Sequence, residues 1–550
     1  MTTRSLLVAC AAVGWLLAAM VSSPRAQGQL APAPPEHAGV SFQASNDCMV
    51  CHNGLTTPSG EDVSIGVSWR SSMMANSSRD PYWHAAVRRE TLDHPEHAAA
   101  IEDECSICHM PMARTLAHAQ GLEGRVFANV PGTTTADTIE RQLAADGVSC
   151  TVCHQISDEG LGTPESFVGG FVIQPPAADG SPSMFGPFEV TDGHAALMRS
   201  ATGVVPTDGA HIRRSELCAT CHTLITESFD ADGNTAGSLP EQVPYQEWQH
   251  SAFIAEEVGC QSCHMPAVSA PMRVSSVLGE EREGMGRHTF VGGNFFMLRM
   301  LNRYRDDLGV QALPAELEAT AAATVRQLQD ETATVTIEDT TRTDRALQFE
   351  VAIVNRTGHK LPTAYPSRRA WLHVSVRDRS GQTIFESGRV EPNGAIVGND
   401  NDADPSVFEP HYEEVREPGQ VQIYEAIIAG PSGALTTGLL TATQFVKDNR
   451  LLPRGFVKAT AGPNIAMHGT AAADATFDGD GDRVRYVVDA SDTEGPLDVE
   501  VELRYQPIGF RWAQNLSDYR APEPERFVAY YDSMAASSSV VLMRAVALVP

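Results

Sequence analysis

One five-residue frame, Cys-x-x-Cys-His, recurs five times in this 550-residue chain. The copies are Cys48/Cys51/His52, Cys105/Cys108/His109, Cys150/Cys153/His154, Cys218/Cys221/His222 and Cys260/Cys263/His264. Of eleven cysteines, ten sit in these frames and the last, Cys10, lies in an N-terminal apolar run. Two sulfurs on one short turn can form thioethers to the two vinyl groups of one porphyrin, and the next residue then swings its imidazole under the iron. A zinc ribbon uses Cys-x-x-Cys pairs but needs no histidine directly behind each, and five pairs would be an odd number for it. Disulfides suit exported proteins, yet they give no reason for the trailing histidine. A thioredoxin-like dithiol is a single motif in a strand–helix setting. The pattern therefore points to five c-type haems, attached through the ten cysteines, with His52, His109, His154, His222 and His264 as iron ligands.

Arg4 precedes an apolar run from Leu6 to Val21, followed by small residues and proline. This is the layout of a secretory signal over residues 1–26, with Cys10 in the discarded part. The run is short for a membrane span, and no other segment could make one. Attachment of haem to thiols follows export, so the expected location is periplasmic or extracellular. The net charge of −29 argues against nucleic acid and anionic lipid. It suits a soluble protein that meets redox partner proteins.

Residues 27–45 read as a flexible Pro/Ala-rich lead-in. Residues 46–310 hold every frame, many Gly, Pro and Ser residues and only short helical patterns, so macrocycles would have to fill their interior. Residues 311–331 read as a linker helix with Leu317, Ala321, Val325 and Leu328 on one face. Beyond residue 332 the period becomes two: Leu497, Val499, Val501, Leu503 and Tyr505 alternate with Asp498, Glu500, Glu502 and Arg504. Further runs of this kind predict an antiparallel β-sandwich-like domain over 332–550. The expected fold class is a mainly α and irregular multihaem cytochrome domain followed by an all-β sandwich-like domain. A degenerate duplication shows in the order frame, Trp-x-x-Ser, frame-Met-Pro, which occurs around Trp69 and again around Trp248.

The linked Cys-x-x-Cys-His frames, the Trp-x-x-Ser-x-Met segment, "CHMP" and the "HTFVGGN" segment resemble the multihaem cytochromes related to the tetrahaem electron carrier of hydroxylamine oxidation. The resemblance spans roughly residues 45–310. The rest, with "NRTGHKLPTAYPSRRAW", looks like the β domain fused to uncharacterised bacterial members. It implies electron transfer, with redox chemistry on nitrogen or sulfur compounds in a few cousins. In the related carriers the Trp-x-x-Ser segment continues to a histidine that binds iron from the distal side. Here that position holds Met74 in one copy and Phe253 in the other.

The second copy must therefore find a distal ligand elsewhere or leave an iron open. His211 and His288 match family positions, and His94 precedes a helix leading into the second frame. His250 is a further candidate, and Met74 is either a thioether ligand or padding. His84, His97 and His118 read as surface histidines. Asp478, Asp480 and Asp482 alternate with glycines in a way that suits Ca²⁺, although no glutamate closes an EF-hand loop. Lys360, Arg368 and Arg369, beside His359, could dock the second domain through haem propionates.

Three functions follow from these features. The first is a pentahaem carrier moving electrons between envelope redox partners. The second is an oxidoreductase acting on a nitrogen or sulfur compound at one open iron, without the lysine-ligated Cys-x-x-Cys-Lys frame of nitrite reductases. The third is an oligomer, a subunit of an extracellular cytochrome filament.

Overall fold

A computed structural model describes residues 41–132 and 138–550. The signal-like segment and all but the end of the lead-in lie outside the described residues. The first half is rich in short helices and the second in strands. Helix Pro81–Asp93 starts where Asp80 accepts the backbone N–H groups of Tyr82 and Trp83 at 2.8 and 3.2 Å, with proline at its first position. Helix Ala98–His109 ends in the second Cys-x-x-Cys-His frame. The apolar side chains of this half fall largely into small separate clusters, around Trp83 and Val87, around Met112 and Leu143, and around Leu55 and Val268.

The second half begins with helix Pro314–Glu331, which buries Leu317, Ala321 and Leu328. Its strands are β1 (Ala333–Arg342), β2 (Ala346–Asn355), β3 (Arg369–Arg377), β4 (Thr383–Ser387), β5 (Glu414–Val415), β6 (Ile423–Tyr424), β7 (Ala426–Ala429), β8 (Leu435–Thr436), β9 (Gln444–Asp448), β10 (Asp482–Asp489), β11 (Leu497–Gln506) and β12 (Val540–Val549). One sheet runs β4-β3-β11-β12 with β6 also paired to β3, a second runs β5-β10-β2-β1, and a third runs β8-β7-β9. The period-two pattern fixes register: Val499, Val501 and Leu503 of β11 stand opposite Val376, Val374 and Leu372 of β3. The first two sheets contribute to one core, where Phe349 of β2 stacks on Tyr486 of β10, and Phe385 of β4 meets Tyr486 edge-on. Each such fully buried side chain contributes about 1.5–3 kcal/mol.

The strand-rich half is not all β. Helix Pro522–Met534 interrupts it, burying Phe527, Tyr530, Tyr531 and Met534. Those spacings of three and four residues are a helical stripe, which the surrounding alternation masks. This helix returns to the first half: Phe527 packs on Tyr82 at 5.1 Å and Glu523 pairs with Arg88 at 2.8 Å. On the same helix Pro81–Asp93, the Glu90 carboxylate accepts the N–H groups of Leu439 and Leu440 at 2.8 and 3.3 Å. The two halves are thus joined along a buried, hydrogen-bonded seam.

Candidate functional site

Each frame closes a short helical turn. In three of them the histidine N–H bonds back to the first cysteine carbonyl at 3.0 Å: His52 to Cys48, His154 to Cys150 and His222 to Cys218. The other two frames end helices Ala98–His109 and Cys260–His264. Four of the five imidazoles are aimed by the main chain. Nδ1 meets a carbonyl oxygen of Val274 for His52 at 2.6 Å, of Ser77 for His109 at 3.1 Å, of Phe185 for His154 at 2.5 Å and of Val291 for His264 at 2.5 Å. A proton on Nδ1 leaves Nε2 with a free lone pair, the form a metal-binding histidine takes. Burial holds His109 and His222 down at about 4, so both are neutral near pH 7. All ten frame cysteines, from Cys48 and Cys51 to Cys260 and Cys263, are free thiols, with no disulfide between them. Among the described residues no three of the frame cysteines and histidines stand close enough together to share one metal ion. The donor set fits covalent haem.

The frames are neighbours out of sequence order. The Cys48 and Cys150 thiols lie within hydrogen-bonding reach of one another, as do those of Cys108 and Cys221 and those of Cys218 and Cys260. Cys153 of the third frame also lies close enough to Cys221 to feel its charge. The histidines repeat this pattern: His154 senses His52, and His222 senses His264 and His109. The fourth frame is therefore a hub that touches the second, third and fifth, and the first frame hangs from the third.

The two cysteines of the first frame differ in their contacts. Cys48 meets the third frame through its thiol, whereas Cys51 is fixed through its main chain. The Cys51 N–H donates to the Cys48 carbonyl at 3.2 Å, and the Cys51 carbonyl accepts both the N–H and the hydroxyl of Ser276, at 2.8 and 3.0 Å. Its side chain is half-buried. The same 274–276 segment that receives the Cys51 carbonyl also holds His52.

This arrangement revises the duplication. Trp69 donates its indole N–H to Val148, two residues before Cys150, at 2.9 Å. Trp248 donates to Val258, two residues before Cys260, also at 2.9 Å. The equivalent pairs are thus frames one and three around Trp69 and frames four and five around Trp248. Sequence order instead suggests frames one and two for the first copy, because the "CHMP" tetrapeptide draws the eye.

The distal candidates are spread out. His288 faces the third frame: its ring centre is 6.3 Å from that of His154, with the planes 15° apart. His211 is buried beside Phe185, with Nε2 2.9 Å from the Ile156 carbonyl oxygen. His94 is buried at the seam, 3.3 Å from the Thr441 hydroxyl. His250 lies against Phe456 and points Nε2 at the Val457 carbonyl oxygen, 3.0 Å away. Met74 is half-buried, and its carbonyl accepts the Val148 N–H at 3.0 Å, beside the third frame. His84 is not a surface residue: it is buried between the Ser78 carbonyl and Arg526, and burial holds it down at about 3. The last helix covers it. Gly293 comes so close to the Tyr505 phenol that a Cβ there would lie within 2.6 Å of it.

The docking loop also differs from expectation. Lys360 is fully buried on Asp448 at 2.7 Å, and Arg369 is buried on Asp402 at 2.8 Å. Only Arg368 faces the frames, close enough to His222 and His359 to oppose their protonation. The three aspartates of "FDGDGD" do not converge. Asp478 accepts the Asp480 N–H within an open turn, while Asp482 begins β10 and points inward. There it joins His411 and Asp474. The amides of Gln422 and Asn449 both donate to His411 Nδ1, at 2.7 and 3.1 Å, so its proton sits on Nε2 and is donated to Asp474 at 3.0 Å. In that tautomer the nitrogen facing the two aspartates carries a proton and the lone pair on the other accepts the two amides, so the cluster reads as a hydrogen-bond network.

No family model matches the chain, and no curated protein does. Among solved structures it is similar to a penta-heme cytochrome c552 from Thermochromatium tepidum, at 15% identity and a TM-score of 0.49, over 93% of this chain and 99% of that one. A likeness of this size assigns no family. Among the described residues no helix is long and apolar enough to cross a membrane.

Proposed function

We propose that the chain is a pentahaem c-type cytochrome that moves electrons between redox partners in the cell envelope, with a sandwich-like strand-rich domain bracing the frames. The supporting observation is the contact network of the frames, because thiols of different frames touch and no frame stands alone. When bound, c-type haems supply irons that take up and release single electrons. The chain's own residues then hold the attachment points together, orient four of the five imidazoles through an Nδ1–carbonyl bond and tune each iron through burial and nearby charge. The test is intact mass and haem staining of the exported, matured protein. A mass gain of five haems is expected, falling to four after Cys260→Ala with Cys263→Ala; no gain at all would overturn the reading.

Glu241 supplies a pH test of the same reading. It is buried, accepts the Thr226 hydroxyl at 2.7 Å, and lies near enough to raise the pKa of Cys105 and Cys108. Burial pushes its carboxyl up to about 7, with Glu90 and Glu104 adding to the effect. Loss of its proton adds negative charge that favours oxidised iron. One midpoint potential should therefore fall as pH rises through about 7, and Glu241→Gln should flatten that slope in a spectroelectrochemical titration.

A second reading, an oxidoreductase with one open iron, is favoured by one observation. Among the described residues His52, His109 and His222 have no imidazole across from them as His154 has. A high-spin signal that shifts on adding cyanide or nitrite would support it.

A further inference from the structure

His359 belongs to the strand-rich half, some ninety-five residues beyond the last frame, on the loop that follows β2. Its ring centre lies 6.4 Å from that of His264, the histidine of the fifth frame, with the two planes 18° from parallel. That separation is too wide for stacking. It is the separation two imidazoles have when they grip one metal between them: two metal–nitrogen bonds of about 2 Å, plus the half-width of each ring, put the centres about 6–6.5 Å apart. Both rings have the tautomer such a grip needs. His264 commits Nδ1 to the Val291 carbonyl at 2.5 Å and His359 commits Nδ1 to the Lys360 carbonyl at 2.9 Å, so each has Nε2 uncommitted.

The same arrangement occurs once more, and at the equivalent place. Frames three and five correspond through Trp69 and Trp248, and the third frame's His154 faces His288 at 6.3 Å. The position of His359 is also built. The side chains of Asn355 and Thr357 donate to its carbonyl at 2.7 and 2.8 Å. Gly358, immediately before it, packs so tightly on Trp248 and Phe253 that a Cβ would come within 3.3 and 3.4 Å of them. Lys360, immediately after it, gives its N–H to the buried Glu247 carboxylate at 3.0 Å. Trp248, Phe253 and Glu247 all precede the fifth frame by less than twenty residues.

We propose that His359 is the distal iron ligand of the haem attached at Cys260 and Cys263, so that the strand-rich half completes a metal site of the helical half. This rests on the pentahaem reading. It also gives Phe253 a place: where a ligating histidine would stand, a phenylalanine packs against the loop that brings one from elsewhere.

The test uses the full-length, haem-loaded protein carrying His359→Gly. Intact mass is read first, in the native protein and the variant; a native protein with fewer than five haems refutes the pentahaem reading itself. With five haems present in both, low-temperature EPR of the oxidised variant should show one low-spin iron replaced by one high-spin iron, and added imidazole should restore it. An unchanged spin count in the five-haem variant overturns the assignment. His359→Met covers the case where the glycine variant does not accumulate. It should keep the site low-spin while adding a sulfur-to-iron charge-transfer band at the red edge of the visible spectrum, and absence of that band overturns the assignment as well.

Discussion

A protein carrying Cys218→Ala and Cys221→Ala is expected to lose the fast sharing of electrons among its proposed haems. The fourth frame touches the second through Cys108–Cys221, the third through Cys153 and Cys221, and the fifth through Cys218–Cys260. Its removal leaves frames one and three coupled through Cys48–Cys150 and strands frames two and five. Stopped-flow reduction with less than one electron per molecule should then give slow, multiphasic redistribution in place of a single rapid equilibrium. His222→Met is the control that keeps the frame: it should raise one potential and leave the fast phase intact. Equilibration across the four remaining centres at the native rate would refute the hub.

Asp448→Ala should cause the largest loss of stability. Asp448 is buried with Lys360 at 2.7 Å and Arg450 at 2.7 Å, and Arg450 reaches the buried Glu247 at 3.2 Å. Removing the shared carboxylate leaves two cations buried with too little charge to balance them, at a cost of about 3–5 kcal/mol. For a unit of this size the melting temperature should fall by roughly 10 °C in calorimetry. Burial alone would raise the pKa of Asp448, but Arg450 and Lys360 overcome it and hold the carboxyl well below its ordinary value. A depressed carboxylate pKa stabilises the fold at all pH above the unfolded value of 3.8, and that contribution drains away as pH falls below it. The variant should therefore differ most from the native protein near neutrality and converge with it in acid. A melting temperature at pH 7 within 2 or so degrees of native, on the order of 1 kcal/mol, would refute the role.

Much of the strand-rich half is legible because one physical rule governs it. A strand with one buried face must alternate, and β11 does so from Leu497 to Tyr505. The frames are legible for a chemical reason, since five trailing histidines have no purpose in a disulfide or a zinc ribbon. What sequence spacing hides is which frames meet. The Cys48–Cys150 contact crosses about a hundred residues, and nothing local encodes it. His359 is hidden for the same reason: it sits beside Lys360 and Arg368, where charge invites a docking loop, and its ring meets His264 only once β2 and the fifth frame are in place. The helix Pro522–Met534 escapes notice because "PERFVAYYDSM" is short and lies between alternating runs.

That final helix makes the closing of the first half depend on a distant part of the chain. Its residues lie some 440 positions along the sequence from those they pack on, yet they cover His84 and clasp the segment running from Tyr82 to Arg88. Until they arrive, the neighbourhood of the second frame has no lid. On the proposed reading, haem attachment at Cys105 and Cys108 is easiest before that helix packs, and the chain itself then closes the way in.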